Sequence, residues 1–493
     1  MTSKINFFIE HTSHENNQST VFAQPERPPS RKTNSIELEQ LPRGKQLPAA
    51  SHHPAEPTSI EPTTPPGERT ASNSAPTSHT ATRTPELPSI QYPYMNRWRL
   101  VACCIGFFTQ GLNDSAPGAL VPYMQEYYHV GYAIVSLIFV ANAVGFVAAA
   151  PFVHTLQGKF GRAKVLGSCG VMNVLAYVSL ICRPPFPVVV LAFLVLGFAF
   201  ATILALDNVF IVNLVNGTSL LGYGHGFYGI GGLVAPLIAT AMISAGTRWS
   251  FFYFISLAIQ MLGTIMFSWA FRGHETEPAT QFLHARDEAR LPPENGTRSS
   301  SLLRKALKNK TTLLGALLIF AYQGAEVSIS GWVISFLIHY RHGDPTHVGY
   351  VTSGFWGGIT MGRFLLVGPA QSIGERLYLV VLIAVSAGFQ LMVWLLPNVI
   401  GDAIAVAVIG LLQGPVYPVA NGVFSKLLPR ELQISSLGFT SSMGSSGGAV
   451  FPFFTGALAQ RLGTVVLNPI CIGLYVVMEI AWMCLPRVQK RTD

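Results

Sequence analysis

Charge is scarce in this chain. Of 493 residues only 11% are Asp, Glu, Lys or Arg, against 49% that are hydrophobic, whereas a soluble domain carries about 25% charged residues. That shortage excludes the two to four water-soluble domains that the length alone would suggest. Cysteine is scarce too: six residues, at 103, 104, 169, 182, 471 and 484, with no CxxC pair among them. Neither a disulfide framework nor a zinc site is expected, and these cysteines read as small residues among apolar neighbours. Also missing are a P-loop, an HExxH helix and a nucleophile elbow, and the "GIGG" at 229–232 follows no strand. An enzyme, a cofactor and a metal are therefore not expected. The first 20 residues contain no seven-residue apolar core, so no cleaved signal peptide is expected and the first apolar segment would direct insertion.

What the chain has in abundance is apolar blocks of membrane length. Twelve can be read, at about 99–122, 134–156, 164–182, 188–210, 221–245, 251–271, 312–338, 348–368, 377–396, 402–424, 435–459 and 464–485. Each is near the ~20 residues needed to cross ~30 Å of hydrocarbon. The expectation is an all-α, multi-pass membrane protein with the lipid bilayer as its surroundings. Basic residues set the orientation. With both termini cytoplasmic, the inner loops and ends hold Arg97, Arg99, Lys159, Arg162, Lys164, Lys426, Arg430, Arg487, Lys490 and Arg491, among others, and the outer loops only Arg183, Arg248, Arg341 and Arg461. The net charge of +8 is thus a matter of topology. No basic stripe with interleaved aromatics points to nucleic acid.

Two polar stretches interrupt this pattern. Residues 1–95 hold 14 of the 33 prolines and many Ser and Thr, and such a composition buries too little apolar surface to offset chain entropy. A disordered cytoplasmic tail is expected there. Residues 273–311 read as a cytoplasmic linker between segments 96–272 and 312–487, with a short tail at 488–493.

Those two segments repeat each other. "FFTQGLNDS" (107–115) recurs as "FAYQGAEVS" (320–328) at an offset of 213, and "LGYGHGFYGIGGLVAP" (221–236) as "LGFTSSMGSSGGAVFP" (437–452) at 216. Gly197 and Asn208 match Gly410 and Asn421 at 213, and "VGY" (130–132) recurs at 348–350. Matches in order at nearly one offset imply two homologous six-helix halves, a plan that places a solute site near the midplane between them.

Acidic residues within the blocks are then the candidates for function, because an intramembrane charge is costly and normally faces a cavity or a partner. Those read from the sequence are Asp114, Asp207 and Glu326, with Asp402 at a boundary. At helical spacing Gln110, Asn113 and Asp114 share a face, and Tyr322, Gln323 and Glu326 repeat the arrangement in the second half. A carboxyl there can bind and release a proton as its solvation changes, which is what coupling a solute to a proton gradient requires. Two structural hydrogen-bonding groups are the alternative. Trp332, Tyr417 and Asn421 are candidates to line a site for a polar, ring-shaped solute. Asp207 and His225 are candidates for a relay, each with a plain structural role as the alternative. Gly354, Gly358 and Gly362, like Gly222/Gly226 and Gly444/Gly448, have the spacing that lets helices approach closely.

These residues resemble the major facilitator superfamily over residues 98–486, and within it the fucose–proton symporter branch, including fungal members of the bypass-of-stop-codon type. "GLNDSAPGALVPY" (111–123) is similar to that branch's first helix, "YQGAEVSISGW" (322–332) to its seventh, and "HGFYGIGGLVAP" (225–236) to its fifth. The resemblance implies a twelve-helix transporter, normally a monomer, with a small solute and protons as partners. It maps Asp114 onto a carboxylate of proton coupling or sugar binding, and Glu326 and Trp332 onto cavity positions. Two departures stand out. The family's gating loop G-x-L-x-D-R-x-G-R reads "HTLQGKFGR" (154–162) here: Leu156, Gly161 and Arg162 are in place and Lys159 stands for the Arg, but His154 replaces the first Gly and Gly158 the Asp. Leu204 stands where bacterial fucose permeases carry a Glu one turn before Asn208, which argues against fucose as solute. The leading expectation is a proton-coupled transporter of a small polar solute in a fungal cell membrane. Its rivals are a proton antiporter exporting a secondary metabolite, and a nutrient sensor signalling through the tail.

Overall fold

The computed structural model of the protein describes residues 88–281 and 304–486. Expectations for residues 1–87, 282–303 and 487–493 fall outside the described residues. Within them the chain is helical and contains no strand. The long helices are α1 (Asn96–Tyr128), α2 (Leu137–Phe160), α3 (Arg162–Ile181), α4 (Phe186–Val212), α5 (Gly217–Ser244), α6 (Phe252–Ala270), α7 (Lys310–His339), α8 (Val351–Leu365), α9 (Glu375–Leu395), α10 in two pieces (Val399–Gln413 and Val416–Leu427), α11 (Arg430–Leu462) and α12 (Leu467–Met483).

Helices are what hydrocarbon demands, because each satisfies its own backbone N–H and C=O groups. Nine of the described helices are long and apolar enough to cross a membrane, against twelve expected from the sequence. α1, α8 and α11 fall outside that set. α8 has only 15 residues, while Asn113 and Asp114 interrupt α1, and Ser441, Ser442, Ser445 and Ser446 interrupt α11. The outward face is apolar, with Leu175, Leu191, Ile265, Leu377 and Ile404 all more than half exposed, as lipid contact requires. Side-chain caps hold several helix starts. Asn309 accepts from the backbone N of Thr311 (2.9 Å) and Thr312 (3.2 Å), and Asn398 from Ile400 and Gly401.

The packing repeats between the two groups of six. α1 lies against α5 as α7 lies against α11, α2 against α4 as α8 against α10, and α3 against α6 as α9 against α12. The groups meet through α1 and α7, through α5 and α8, and through α2 and α11. The sequence offset therefore has a counterpart in space. Where α1 crosses α7, a Cβ on Gly118 would stand 1.9 Å from the Ser330 carbonyl oxygen, so only glycine admits the crossing. Gly358 and Gly362 do the same for α8 on α10, whose backbone lies 2.2 and 2.1 Å from the added atom. Gly222 meets nothing within 4 Å, so the close-approach role expected for the Gly222/Gly226 pair does not hold at Gly222. Gly118→Val is expected to remove the monodisperse peak in detergent size-exclusion chromatography, since overpacking alone costs about 1–3 kcal/mol and backbone has no rotamer to yield. Gly222→Ala should elute as wild type.

Two buried ion pairs clamp the helix ends. Arg341, after α7, donates from Nε to Asp402 Oδ2 (3.0 Å) and from Nη2 to the carbonyls of Val393 (2.6 Å) and Trp394 (3.0 Å), with the two side chains 8% and 2% exposed. Asp402, read from sequence as a boundary carboxylate, is thus the counter-ion of Arg341. Asp402→Ala should lower the thermal midpoint in detergent, because removing one partner of a buried pair costs about 3–5 kcal/mol; an unchanged midpoint would show the pair to be energetically neutral. The second clamp, Arg99 with Glu277, ties the segment after α6 to α1.

Candidate functional site

α1 and α7 cross at the seam between the two groups, and each brings a carboxylate to it. Asp114 Oδ1 accepts from Asn113 Nδ2 (3.2 Å) and Oδ2 from the Tyr228 hydroxyl on α5 (3.1 Å). Asn113, 3% exposed, accepts in turn from the Tyr177 hydroxyl on α3 (3.4 Å), and Tyr177 stacks on Tyr253. Gln110 is buried one turn before Asp114. In the second half Glu326 lies 3.9 Å from Arg363 Nη2 on α8, with the buried Tyr322 hydroxyl beside both. Tyr417 packs its ring 6.1 Å from that of Tyr322.

The halves are joined across this site by aromatic rings. Tyr228 meets Trp356 of α8 edge to face at 5.8 Å, and Trp356 Nε1 donates to Ser330 Oγ (2.8 Å), one turn beyond Glu326. A Cβ on Gly232 would lie 2.9 Å from the Trp356 ring, so the glycine makes room for the indole. Asp114 and Glu326 sit within Coulomb reach of each other, and Tyr228 within reach of both and of Arg363. The result is two acids, one guanidinium and several hydroxyls between two bundles. Such a set can exchange a proton, and it can hydrogen-bond hydroxyl groups.

Three residues expected at the site stand elsewhere. Trp332 is 1% exposed; its Nε1 donates to the Pro452 carbonyl (2.9 Å), and its ring packs on Tyr132 and Phe139. It packs in a seam between α7, α11 and the start of α2, with its indole N–H paired to backbone. Gln323 turns toward α11, against Gly444, away from Glu326. Asp207 is buried beside Cys103 and Arg162, about three turns along α1 from Asp114, so the structure does not bring it to the seam as a relay. Asn421 is half-buried on the second piece of α10, and its carbonyl accepts from Ser425. His225 does come close: it faces Arg363 and packs edge-on against Phe107 at 5.1 Å.

The loop between α2 and α3 is built differently from its sequence expectation. Lys159 points outward over Phe160. Gly161 takes φ +79° and starts α3, a conformation that favours glycine. Arg162 turns into its own half, donating from Nη1 to the Leu206 carbonyl (3.3 Å) with its guanidinium over Phe210 and Phe271. The acid that the loop lacks at Gly158 comes from elsewhere: Glu275 Oε1 accepts from the Arg162 backbone N (2.6 Å), at the positive end of the α3 dipole. A cavity of about 400 Å³ lies under this strap, lined by His154, Gln157, Arg162, Asn213 and Glu277, apart from the carboxylate pair.

Sequence reasoning overlooked Arg363, Tyr228 and Trp356 at the site. The available signal for Arg363 was a lone basic residue inside an apolar block. Glu479 on α12 was also overlooked; it is a further acid inside a block, half-buried. Among the described residues no group of three His, Cys, Asp or Glu is placed to hold a metal, and all six cysteines are free.

The Major Facilitator Superfamily sequence profile matches residues 103–452. The chain belongs to the Major Facilitator Superfamily. This makes it a transporter and not an enzyme. The facilitator is 27% identical over 422 residues to bypass of stop codon protein 6 of Saccharomyces cerevisiae, covering 80% of this chain and 83% of the relative. It is 21% identical over 380 residues to the glucose/mannose transporter GlcP of Bacillus subtilis, covering 76% and 90%. Among solved structures, a point mutant of the nucleoside transporter NupG matches this facilitator with a TM-score of 0.63 at 14% identity, over 78% of this chain and 99% of that one.

Proposed function

We propose that this facilitator is a secondary active transporter that moves a small, polar, sugar-like solute by alternating access, coupled to protons. The observation that carries the reading is the pair of acids on equivalent helices of the two halves: Asp114 on α1 and Glu326 on α7, facing one seam. A structural role would need neither the repetition nor the meeting. Hydroxyl-rich walls (Tyr228, Tyr322, Tyr417, Ser330) suit a polyol or sugar, and the sugar transporter among the relatives supports that class. In this reading twelve helices cross the bilayer, both termini are cytoplasmic, and the protein works as a monomer in the cell membrane. Residues 1–95 and 273–311 are then tail and linker to two six-helix bundles. The 2–3 loop with Lys159, Gly161 and Arg162 gates the cytoplasmic side.

The test is proton flux in proteoliposomes. D-glucose, D-mannose, D-galactose and D-xylose are offered outside, and the external pH is followed with an impermeant dye. Alkalinisation with at least one sugar, absent in Glu326→Gln, supports the reading. Sugar movement with no proton flux in wild type makes the protein a facilitator without coupling. No movement of any sugar overturns the solute class.

A further inference from the structure

We propose that the groove between α2 and α3 holds an anionic phospholipid of the cytoplasmic leaflet, its acyl chains on the apolar walls and its phosphate between Lys164 and Arg272. The groove measures about 1100 Å³ and shares no residue with the carboxylate seam. It exists because α2 and α3, though consecutive, barely touch: each packs on α4 instead, and α3 also on α6. Phe198 of α4 forms the floor, its ring 6.4 Å from that of Phe152. One wall is Phe152, Leu156 and Phe160 of α2; the other is Lys164, Ser168 and Met172 of α3. Each set has i, i+4, i+8 spacing and so shares one face of its helix. Ser268 and Arg272, at the end of α6, and Glu275 of the strap complete the lining.

Depth and charge both point to a lipid. Eight residues of helix rise about 12 Å, most of the ~15 Å that the hydrocarbon of one leaflet spans. Phe152, Phe160 and Val171 are 53%, 47% and 50% exposed in the groove, so its length offers apolar surface that acyl chains cover better than water does. The cations stand at one end. Lys164 and Arg272 are exposed at the mouth, and Lys159 lies beside it over the Phe160 ring. Among the described residues none of these three takes part in an ion pair. The one acid in the lining, Glu275, already accepts from the Arg162 backbone N (2.6 Å). A basic pocket between membrane helices on the cytoplasmic side suits an anionic headgroup, and the orientation proposed above puts the α2–α3 loop on that side. A zwitterionic headgroup would leave the two cations unbalanced. The lipid fills the space that keeps α2 from α3 and joins both to the strap after α6. The inference takes only its orientation from the proposed function, and needs neither the solute nor proton coupling.

The test is native mass spectrometry of the full chain in detergent, titrated with phosphatidylserine or with phosphatidylcholine of the same acyl chains. Phosphatidylserine should bind at about 30-fold lower concentration, about 5-fold for each cation. Lys164→Ala/Arg272→Ala should lose that preference. Lys305→Ala/Lys308→Ala, which removes exposed cations just before α7, should keep it. Ser168→Trp, which fills the groove and spares both cations, should weaken both lipids. Phosphatidylserine should also raise the thermal midpoint of wild type, and not that of the double groove variant. Lys164→Gln alone, at an exposed side chain, should cost about 5-fold and serves where the double variant does not fold. Glycerophosphoserine, the headgroup without chains, should not displace the bound lipid. Equal binding of the two lipids by wild type, or a preference unchanged by loss of Lys164 and Arg272, overturns the proposal. Displacement by glycerophosphoserine at equal concentration makes this a site for soluble phosphate esters and overturns the lipid assignment. None of these outcomes bears on transport, which the sugar and proton measurements decide separately.

Discussion

Asp114→Asn is expected to abolish accumulation of solute against a gradient while leaving exchange of solute across the membrane within a few-fold of wild type. The size of the loss follows from the membrane potential. One elementary charge moved across 100 mV is worth about 2.3 kcal/mol, and about 1.4 kcal/mol is a factor of ten, so one coupled proton sustains a gradient of roughly 50-fold. The variant should reach a ratio of about one. Asn keeps the shape of Asp and can still face Asn113 and the Tyr228 hydroxyl, which now hold Asp114 at 3.2 and 3.1 Å, so the packing around α1 and α5 should survive. The measurement is the steady-state ratio of labelled sugar inside and outside vesicles under an imposed potential, alongside counterflow with sugar on both sides and no gradient. Loss of both accumulation and counterflow would make Asp114 a structural or solute-holding group. Retention of both would remove it from coupling.

Glu277→Ala is expected to be the most destabilising surface-segment change in the first half. Arg99 is 0% exposed, and its guanidinium donates to Glu277 Oε2 (2.7 Å) and Oε1 (2.5 Å), to Asn96 Oδ1 (2.8 Å) and to the Ala270 carbonyl (2.9 Å). Removing the carboxylate leaves a buried cation with neutral partners only. Because Glu277 is itself 21% exposed, the cost belongs at the lower end of the buried-pair range, about 3 kcal/mol. It should appear as a lower thermal midpoint in detergent. Glu277→Gln should lose less, since the amide oxygen still accepts one of the two bonds. The double change Arg99→Met/Glu277→Leu should be milder than Glu277→Ala alone, because no charge is left unpaired. Equal midpoints for all of these would mean that the strap after α6 does not hold the first half together.

The strap shows where sequence reasoning reached its limit. The gating loop could be seen to lack its acid at Gly158, but not that Glu275, 113 positions after Arg162, supplies a carboxylate to the start of α3. Residue spacing along a helix is a local property, which is why the shared face of Gln110, Asn113 and Asp114 was legible. Which neighbouring helix that face meets is not local, and so Tyr228 was passed over in favour of His225, three residues away. Trp332 failed as a cavity residue for a related reason. Its position after Glu326 was read correctly, but its partner is the Pro452 carbonyl, 120 residues on. Gln323 matched Gln110 in the repeat and still turned the other way, toward Gly444.

Apolar block length, the 213–218 offset between the halves and the two carboxylates at matching places were all written in the linear chain. They are sums or spacings read directly along it, and a bilayer forces each apolar block to satisfy its own backbone before it meets any other. That α1 and α11 fall below membrane apolarity is also a matter of composition, through Asn113, Asp114 and the serines of α11. The pairing of Glu326 with Arg363, and of Asp114 with Tyr228, was decided only when α1, α5, α7 and α8 came together. A charge in hydrocarbon is defined by its nearest opposite charge, and that neighbour is chosen by helix packing, not by position in the chain.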